Sequence, residues 1–193
     1  MAESWFSLSR DDQVEALEFA AARTGRLAHL LEKDIWVVWV LSAIYESDLA
    51  SKLTFKGGTS LSKVYRIIDR FSEDVDLTYD IRELAADLLK QGNPIPDYPA
   101  VKTGTGYSAP TIQLEFGARA TGEPHHVQPV ACDIAPEIEG VTFPVAQPLV
   151  MAAERTFWEK ATAAHVYCLQ GRLRGERYSR HWYDLAAIAK TPH

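Results

Sequence analysis

The sequence predicts an α/β or α+β domain in which a small mixed sheet is flanked by helices and followed by a helical C-terminal part. Helical patterns at both ends of the chain enclose a region of short β-like runs. Within that region a strand–helix–strand unit precedes a hairpin or meander. A length of 193 residues fits one domain with a small appendage, so we expect a core over residues 1–149 and a helical segment over residues 150–193.

Two helices are predicted before the first strand. Ser9 and Asp12 have the spacing of an N-terminal cap, and Gly25 follows the last apolar residue of the first pattern. Residues 28–47 form a second predicted helix that is apolar enough to be mostly buried. Its longest apolar run is too short to span a bilayer, so no membrane association is expected.

The middle of the chain alternates strands and helices. The run "KLTF" from Lys52 is a predicted strand that leads into Gly57-Gly58, and "DVDLTY" alternates as a half-buried strand does. Between them, residues 60–70 are predicted to be helical. Residues 81–90 are predicted as a helix and residues 91–109 as a long loop.

Strands and then helices complete the predicted order. Strands are expected over residues 111–119 and 127–135, joined by "ATGEPHH", and "GVTFPV" is a candidate for a third. Helices are expected over residues 152–170 and 179–190.

The charge is uneven along the chain. The net charge is −6, and residues 150–193 carry seven Lys or Arg against four Asp or Glu. This balance excludes a general nucleic-acid coat, whereas the basic C-terminal end is compatible with a phosphate-bearing partner. The two cysteines lack metal-ligand spacing and the N-terminus lacks a signal-peptide pattern, so the cytoplasm is the expected compartment.

The pair Gly57-Gly58 ends a predicted strand just before a helix. Glycine lets backbone N–H groups approach a ligand closely, and a helix N-terminus directs partial positive charge to the same place. Thr59 and Ser60 add hydroxyl donors suited to phosphate oxygens. Because the Walker P-loop pattern is absent, this is a different kind of phosphate site.

Asp74 and Asp76 lie two residues apart on the next predicted strand, so their carboxylates project to the same face. Two carboxylates on one face repel each other unless a cation neutralises them, and Mg²⁺ (or Mn²⁺) prefers such oxygen ligands. Together with the glycine turn, the pattern predicts a nucleoside triphosphate bridged by metal to two aspartates.

In these residues the chain resembles the AbiEii/AbiGii toxin family of nucleotidyltransferases, within the polymerase-beta-like superfamily. The strings "FKGGTSLSKVY" and "RFSEDVDL" carry the resemblance, and "ERTFWEKATAAH" and "RHWYDLAAI" are similar to later blocks of the family. It extends from about residue 32 onward. It implies a polymerase-beta-like fold, transfer of a nucleotide from a triphosphate to an acceptor such as the 3′ end of tRNA, and a cognate antitoxin protein in a toxin–antitoxin or phage-defence pair.

The resemblance also implies roles for individual residues. Phosphate would be held by the turn residues Gly57, Gly58, Thr59 and Ser60, and the metal by Asp74 and Asp76. Lys160 would bind the triphosphate. Asp184, in the second half of the chain, would act as a base or orient a reactant. Arg180, one helical turn before Asp184, is an alternative structural partner for that carboxylate.

Three questions stay open at this point. The third acidic ligand of the superfamily is either Asp133 or Glu115, with Asp133 ranked first. RNA phosphates would be contacted by Arg172, Arg174 and Arg177. A predicted helical face is either solvated or directed to a ligand, and it is formed by Lys63, Arg66 and Arg70. The alternative functions are a small-molecule nucleotidyltransferase of the antibiotic-modifying kind, and a nucleotide-binding protein without turnover.

Overall fold

The computed structural model describes residues 2–72, 74–80, 97–102, 109–117, 121–170 and 177–191, except the side chains of residues 177 and 178. Its helices are α1 Arg10–Thr24, α2 Ala28–Tyr45, α3 Gly57–Lys63, α4 Ala153–Gln170 and α5 Arg177–Ile188. Its strands are β1 Glu3–Ser4, β2 Leu53–Lys56, β3 Asp74–Tyr79, β4 Gln113–Gly117, β5 His125–Val127, β6 Val130–Ala131, β7 Val141–Thr142, β8 Val145–Ala146 and β9 Leu149–Met151.

These elements confirm the predicted class, a small mixed sheet with flanking helices. The helix predicted over residues 81–90 and most of the loop predicted after it lie outside the described residues. The division at residue 149 stays a prediction.

Helix α1 begins and ends where its caps predict. The Ser9 side chain accepts a hydrogen bond from the backbone N–H of Asp12 at 3.2 Å, which satisfies one of the free donors of the first turn. Gly25 closes the helix with a φ of 71° in the left-handed region, where glycine has no steric penalty. Helix α2 is largely buried, as its composition predicts.

The main sheet has the strand order β4–β3–β2–β9–β5. Strand β2 is antiparallel to β3 and parallel to β9, and β3 is parallel to β4. Val75 and Leu77 of β3 are fully buried, so the alternation of the strand directs Asp74 and Asp76 to the opposite face. That face carries the candidate site.

The predicted hairpin between residues 111–119 and 127–135 is wrong. Strand β4 pairs with β3, and the second segment is divided between β5 and β6 of different sheets. Pro129 lies at the break, because proline cannot donate a ladder hydrogen bond. The run "GVTFPV" is likewise divided into β7 and β8 around Pro144, and β9 was not predicted.

Helix α3 is shorter than predicted and begins earlier. It runs from Gly57 to Lys63 rather than over residues 60–70. Arg66 has a φ of 52°, which a right-handed helix does not allow, so the helical face proposed for Lys63, Arg66 and Arg70 does not exist. The segment from Arg66 to Ser72 instead forms a loop that leads into β3.

The C-terminal helices share a small hydrophobic cluster with α3. Leu61 of α3, Ile68 of the loop, Ala153 of α4 and Ile188 of α5 are all buried in it. This packing holds α4 and α5 beside the glycine turn, so that side chains distant in sequence face the same cleft. No helix in the described part of the chain is both long and apolar enough to cross a bilayer.

Candidate functional site

A cleft of about 300 Å³ lies between the polar face of the sheet and the two C-terminal helices. Five of the predicted site residues line it: Gly57, Gly58, Asp74, Asp76 and Lys160. They come from the β2–α3 turn, from β3 and from α4. The structure therefore brings together residues that are as many as 103 positions apart in the chain.

A row of charged side chains crosses the sheet in this cleft. Asp76 of β3 lies opposite Lys56 of β2 on one side and opposite Glu115 of β4 on the other. Residues directly paired across strands project to the same face, so the two carboxylates are neighbours. The amide of Gln113 donates a hydrogen bond to Glu115 Oε1 at 2.9 Å, which orients that carboxylate.

The electrostatics of Asp76 reflect this crowding. Burial raises the pKa of its carboxyl group, and the charges of Glu115 and Asp74 raise it further, to about 7, against the opposing effect of Lys160 and Lys56. Without a further cation, the ionised form of Asp76 is therefore disfavoured in the cleft.

The glycine turn lies directly against this carboxylate. A Cβ atom at Gly57, whose φ is 79°, would be 1.9 Å from Asp76 Oδ2. At Gly58 it would be 2.7 Å from Ser72 Oγ and 2.8 Å from Arg70 Nη2. Gly57 excludes a side chain, and a side chain at Gly58 would displace Ser72 or Arg70, so the backbone itself forms this wall of the cleft.

The variant Gly57→Ala is expected to lower the free energy of unfolding by about 3 kcal/mol, because it combines backbone strain with a clash against Asp76. Gly140→Ala is the matched control. Gly140 has a φ of 78° but nothing within 4 Å of its Cβ position, so only the strain of about 1 kcal/mol applies. Urea unfolding of both variants measures the difference, and equal losses would contradict the close approach.

Thr59 and Ser60 do not offer their hydroxyl groups to the cleft. Both residues are fully buried. Thr59 Oγ1 donates to the carbonyl oxygen of Asp74, and Ser60 Oγ donates to the carbonyl oxygen of Gly57 at 2.9 Å. The predicted phosphate contacts from these side chains are therefore not supported. The Thr59 hydroxyl instead fixes the turn to β3, and the Ser60 hydroxyl bonds within the turn.

Asp184 lies under the cleft, fully buried, between two cations. Arg70 donates to both of its carboxylate oxygens, from Nε at 3.0 Å and from Nη2 at 2.6 Å, and Lys160 Nζ lies 2.9 Å from Oδ2. Burial alone would raise the pKa of Asp184, but Arg70 and Lys160 outweigh it and lower the pKa below its ordinary value. The partner expected structurally, Arg180, is exposed and lines the cleft instead.

Several cleft residues had no local signal in the sequence. Lys56 forms an ion pair with Glu159 of α4 at 2.8 Å. His181 of α5 has a lowered pKa because it is partly buried and faces Lys160 and Arg70, and its Nδ1 atom has no hydrogen-bond partner in the described structure. Each position depends on how α4 and α5 pack on the sheet, which no nearby pattern reports.

Asp133 does not lie in this cleft, which corrects its ranking above Glu115. It pairs with Lys63 at 2.8 Å and with Arg26, and its backbone N–H donates to Asp34 Oδ2 at 2.7 Å. Although Asp133 is partly buried, these cations lower the pKa of its carboxyl group. The structure thus places Glu115 beside the strand aspartates and gives Asp133 to a separate ion-pair network.

Among the described residues, no group of three or more His, Cys, Asp or Glu side chains is arranged to hold a metal ion. The candidate ligands are therefore Asp74 and Asp76, with Glu115 nearby. Two of the predicted RNA-binding residues, Arg172 and Arg174, lie outside the described residues, as does the side chain of Arg177.

Comparisons with known proteins identify the family of the chain. A family model described as nucleotidyl transferase AbiEii toxin, type IV toxin–antitoxin system, matches residues 39–193. No curated protein matches. Among solved structures, the chain is similar to MenT4, a nucleotidyltransferase toxin from Mycobacterium tuberculosis H37Rv, with 20% sequence identity and a TM-score of 0.47. That match covers 82% of this chain and 59% of the MenT4 chain.

Proposed function

The chain belongs to the AbiEii family of nucleotidyl transferase toxins, and from that premise we propose that it transfers a nucleotide from a nucleoside triphosphate to an RNA acceptor, such as the 3′ end of a tRNA. One observation supports the proposal most. In the cleft, Asp74 and Asp76 lie beside a side-chain-free glycine turn, and cationic side chains line the same cleft. A triphosphate and its metal need such a combination of acceptors, open backbone and positive charge.

The residues fit a Mg²⁺ ion, or Mn²⁺, that arrives with its nucleotide. Mg²⁺ is commonly bound by one or two carboxylates, with water and substrate phosphates completing its coordination. Asp74 and Asp76 supply the two carboxylates, and a cation would stabilise the ionised form of Asp76, which burial and the charges of Glu115 and Asp74 disfavour. When bound, the ion would neutralise the phosphates and polarise the one under attack.

The surrounding side chains then have separate tasks. Lys160 and Arg70 stabilise the negative charge of the phosphates, and Asp184 beneath them orients both cations. A ribose hydroxyl oxygen of the acceptor forms a bond to the α-phosphorus while the bond between the α- and β-phosphates breaks, and pyrophosphate leaves. Glu115 accepts the hydroxyl proton.

The proposal also covers partners and location. RNA and nucleoside triphosphates occur together in the cytoplasm, where we place the protein. The type IV toxin–antitoxin description of the family supports a cognate antitoxin as its partner, and we propose a role for this pair in phage defence.

The test is incubation of the protein with Mg²⁺, each of the four α-labelled nucleoside triphosphates in turn, and total RNA. For the parent, we expect label to appear on an RNA band on a denaturing gel. We expect the same for the control variant Asp48→Asn, which changes an exposed carboxylate in a loop. No label is expected on RNA with Asp74→Asn.

The other outcomes separate the alternatives. Label on a cationic antibiotic but not on RNA would assign the protein to small-molecule transfer. Nucleotide binding without release of pyrophosphate in the presence of any acceptor would indicate a nucleotide-binding protein without turnover. Either result would overturn RNA as the acceptor.

A further inference from the structure

A second cavity of about 340 Å³ adjoins the cleft. It lies between the start of α2, the end of α3 and the loop from Arg66 to Ser72. Arg70 and Ser72 line both spaces, so they form a shared wall. The volume falls within the range of small-molecule sites, about 300 to 1,000 Å³. A ligand in the second cavity would therefore lie directly beside the proposed transfer site.

Arg66 is an unusual residue at this cavity. Its φ of 52° is uncommon for a residue with a side chain and costs on the order of 1 kcal/mol. The side chain is exposed and lines the cavity, and no carboxylate in the described part of the chain forms an ion pair with it. A cation held without a partner in an unfavourable backbone conformation is suited to an anionic ligand.

The other cations of the cavity are already neutralised. Lys63 is buried between Asp34 at 2.6 Å and Asp133 at 2.8 Å, and Arg26 pairs with Asp133. Arg70, the remaining cation of the lining, is paired with Asp184, so among the described lining residues Arg66 is the cation without a carboxylate partner. A phosphate at this cavity would therefore be recognised by Arg66.

The remaining lining suits a nucleoside. Leu27 is exposed at the start of α2, and Phe71 presents partly exposed aromatic surface from the loop. Apolar and aromatic side chains bind the faces of unstacked bases. Asp69 is exposed at the same cavity and offers a carboxylate acceptor for ribose hydroxyl groups.

We propose that this cavity holds the terminal nucleotide of the RNA acceptor. Its base lies against Leu27 and Phe71, its phosphate is bound by Arg66, and its ribose hydroxyl reaches the cleft across the wall of Arg70 and Ser72. This inference rests on the proposed function, because it identifies where the acceptor of that reaction binds.

The test uses two variants and a control. Arg66→Gly removes the charge without a folding cost, since glycine adopts a φ of 52° freely. Leu27→Ser removes the apolar contact with the base from an exposed position, and serine is favourable at this helix N-cap. Arg23→Ala is the control, because it removes an exposed arginine of α1 that pairs with Glu137, away from the cavity.

The measurements are the Kd of single-stranded RNA ending in a free 3′ hydroxyl, its salt dependence, and the Kd of a non-hydrolysable nucleoside triphosphate with Mg²⁺. For both variants we expect RNA affinity to fall about tenfold, the effect of about 1.4 kcal/mol. For Arg66→Gly the slope of log Kd against log salt should also fall by about 0.7, the loss of one phosphate contact to a single strand. The triphosphate Kd should stay within about twofold.

Each contrary result has one meaning. RNA affinity equal to that of the parent in both variants would overturn the inference, even if RNA is labelled. Weaker triphosphate binding with unchanged RNA affinity would assign the cavity to the base of the incoming nucleotide and would also overturn it. If the parent labels no RNA but both variants bind RNA more weakly than the parent, the cavity remains an RNA site while the proposed function fails.

Discussion

Replacing either strand aspartate by asparagine, as Asp74→Asn or Asp76→Asn, is expected to reduce nucleotide transfer by at least about a thousandfold. Each substitution keeps the size of the side chain but removes the negative charge that would hold the metal. Initial rates of label transfer at saturating Mg²⁺ measure the effect. The exposed carboxylate variant Asp48→Asn is expected to transfer nucleotide at the rate of the parent, and a similar loss there would indicate a general effect of charge.

The variant Asp76→Asn is also expected to be more stable than the parent without metal at neutral pH. Burial and the charges of Glu115 and Asp74 raise the pKa of Asp76 to about 7, from an ordinary value of 3.8. The folded protein therefore keeps a proton that the unfolded chain releases, so the stability of the parent falls as the pH rises between these two values. The asparagine variant has no such group to titrate.

Urea unfolding in EDTA, at about pH 5 and about pH 8, tests this difference. The advantage of Asp76→Asn over the parent should grow from the lower pH to the higher one. An advantage that is the same at both, or that reverses, would mean that Asp76 is ionised at low cost in the folded protein.

The variant Asp184→Asn is expected to lower the free energy of unfolding by about 3 kcal/mol or more, because it leaves Arg70 and Lys160 near each other without their shared counter-charge. The exposed pair between Arg23 and Glu137 is the comparison. Its variant Glu137→Gln should cost about 1 kcal/mol or less, since ion pairs at the surface contribute little.

The pH dependence gives the second measurement for Asp184. Arg70 and Lys160 lower the pKa of its carboxyl group despite its burial. Its contribution to stability is therefore present above the unfolded pKa and is lost as the pH falls through the lower, folded value. Unfolding midpoints below about pH 4 should fall more steeply for the parent than for Asp184→Asn. Parallel curves would show that the ion pairs do not stabilise the fold.

Triphosphate affinity distinguishes a structural role of Asp184 from a role in positioning the cations. At a temperature where Asp184→Asn is folded, we expect weaker triphosphate binding, because Arg70 and Lys160 are no longer held in position. Unchanged triphosphate affinity in the folded variant would restrict Asp184 to a structural role.

Local patterns in the sequence determined the elements whose signals lie within a few residues. The cap of Ser9 and the left-handed Gly25 bound α1, and the alternation of Asp74 to Tyr79 identified β3 and the face of its two aspartates. These features depend on backbone geometry and on residues nearby in the sequence, so they can be predicted without knowledge of the fold. Where a strand was only three residues long, as in Leu149–Met151, or a helix was stopped by the conformation of Arg66, no local pattern was strong enough.

The partners of the charged side chains were decided only by the tertiary structure. The sequence offered Asp133 and Glu115 as acidic residues on strands and ranked Asp133 first, but the order β4–β3–β2 placed Glu115 beside Asp76. Asp184 had a plausible partner one helical turn away, yet it binds Arg70, which lies 114 residues earlier in the chain. A buried charge takes the counter-charge that packing brings within reach, and that choice depends on strand order and helix docking rather than on sequence distance.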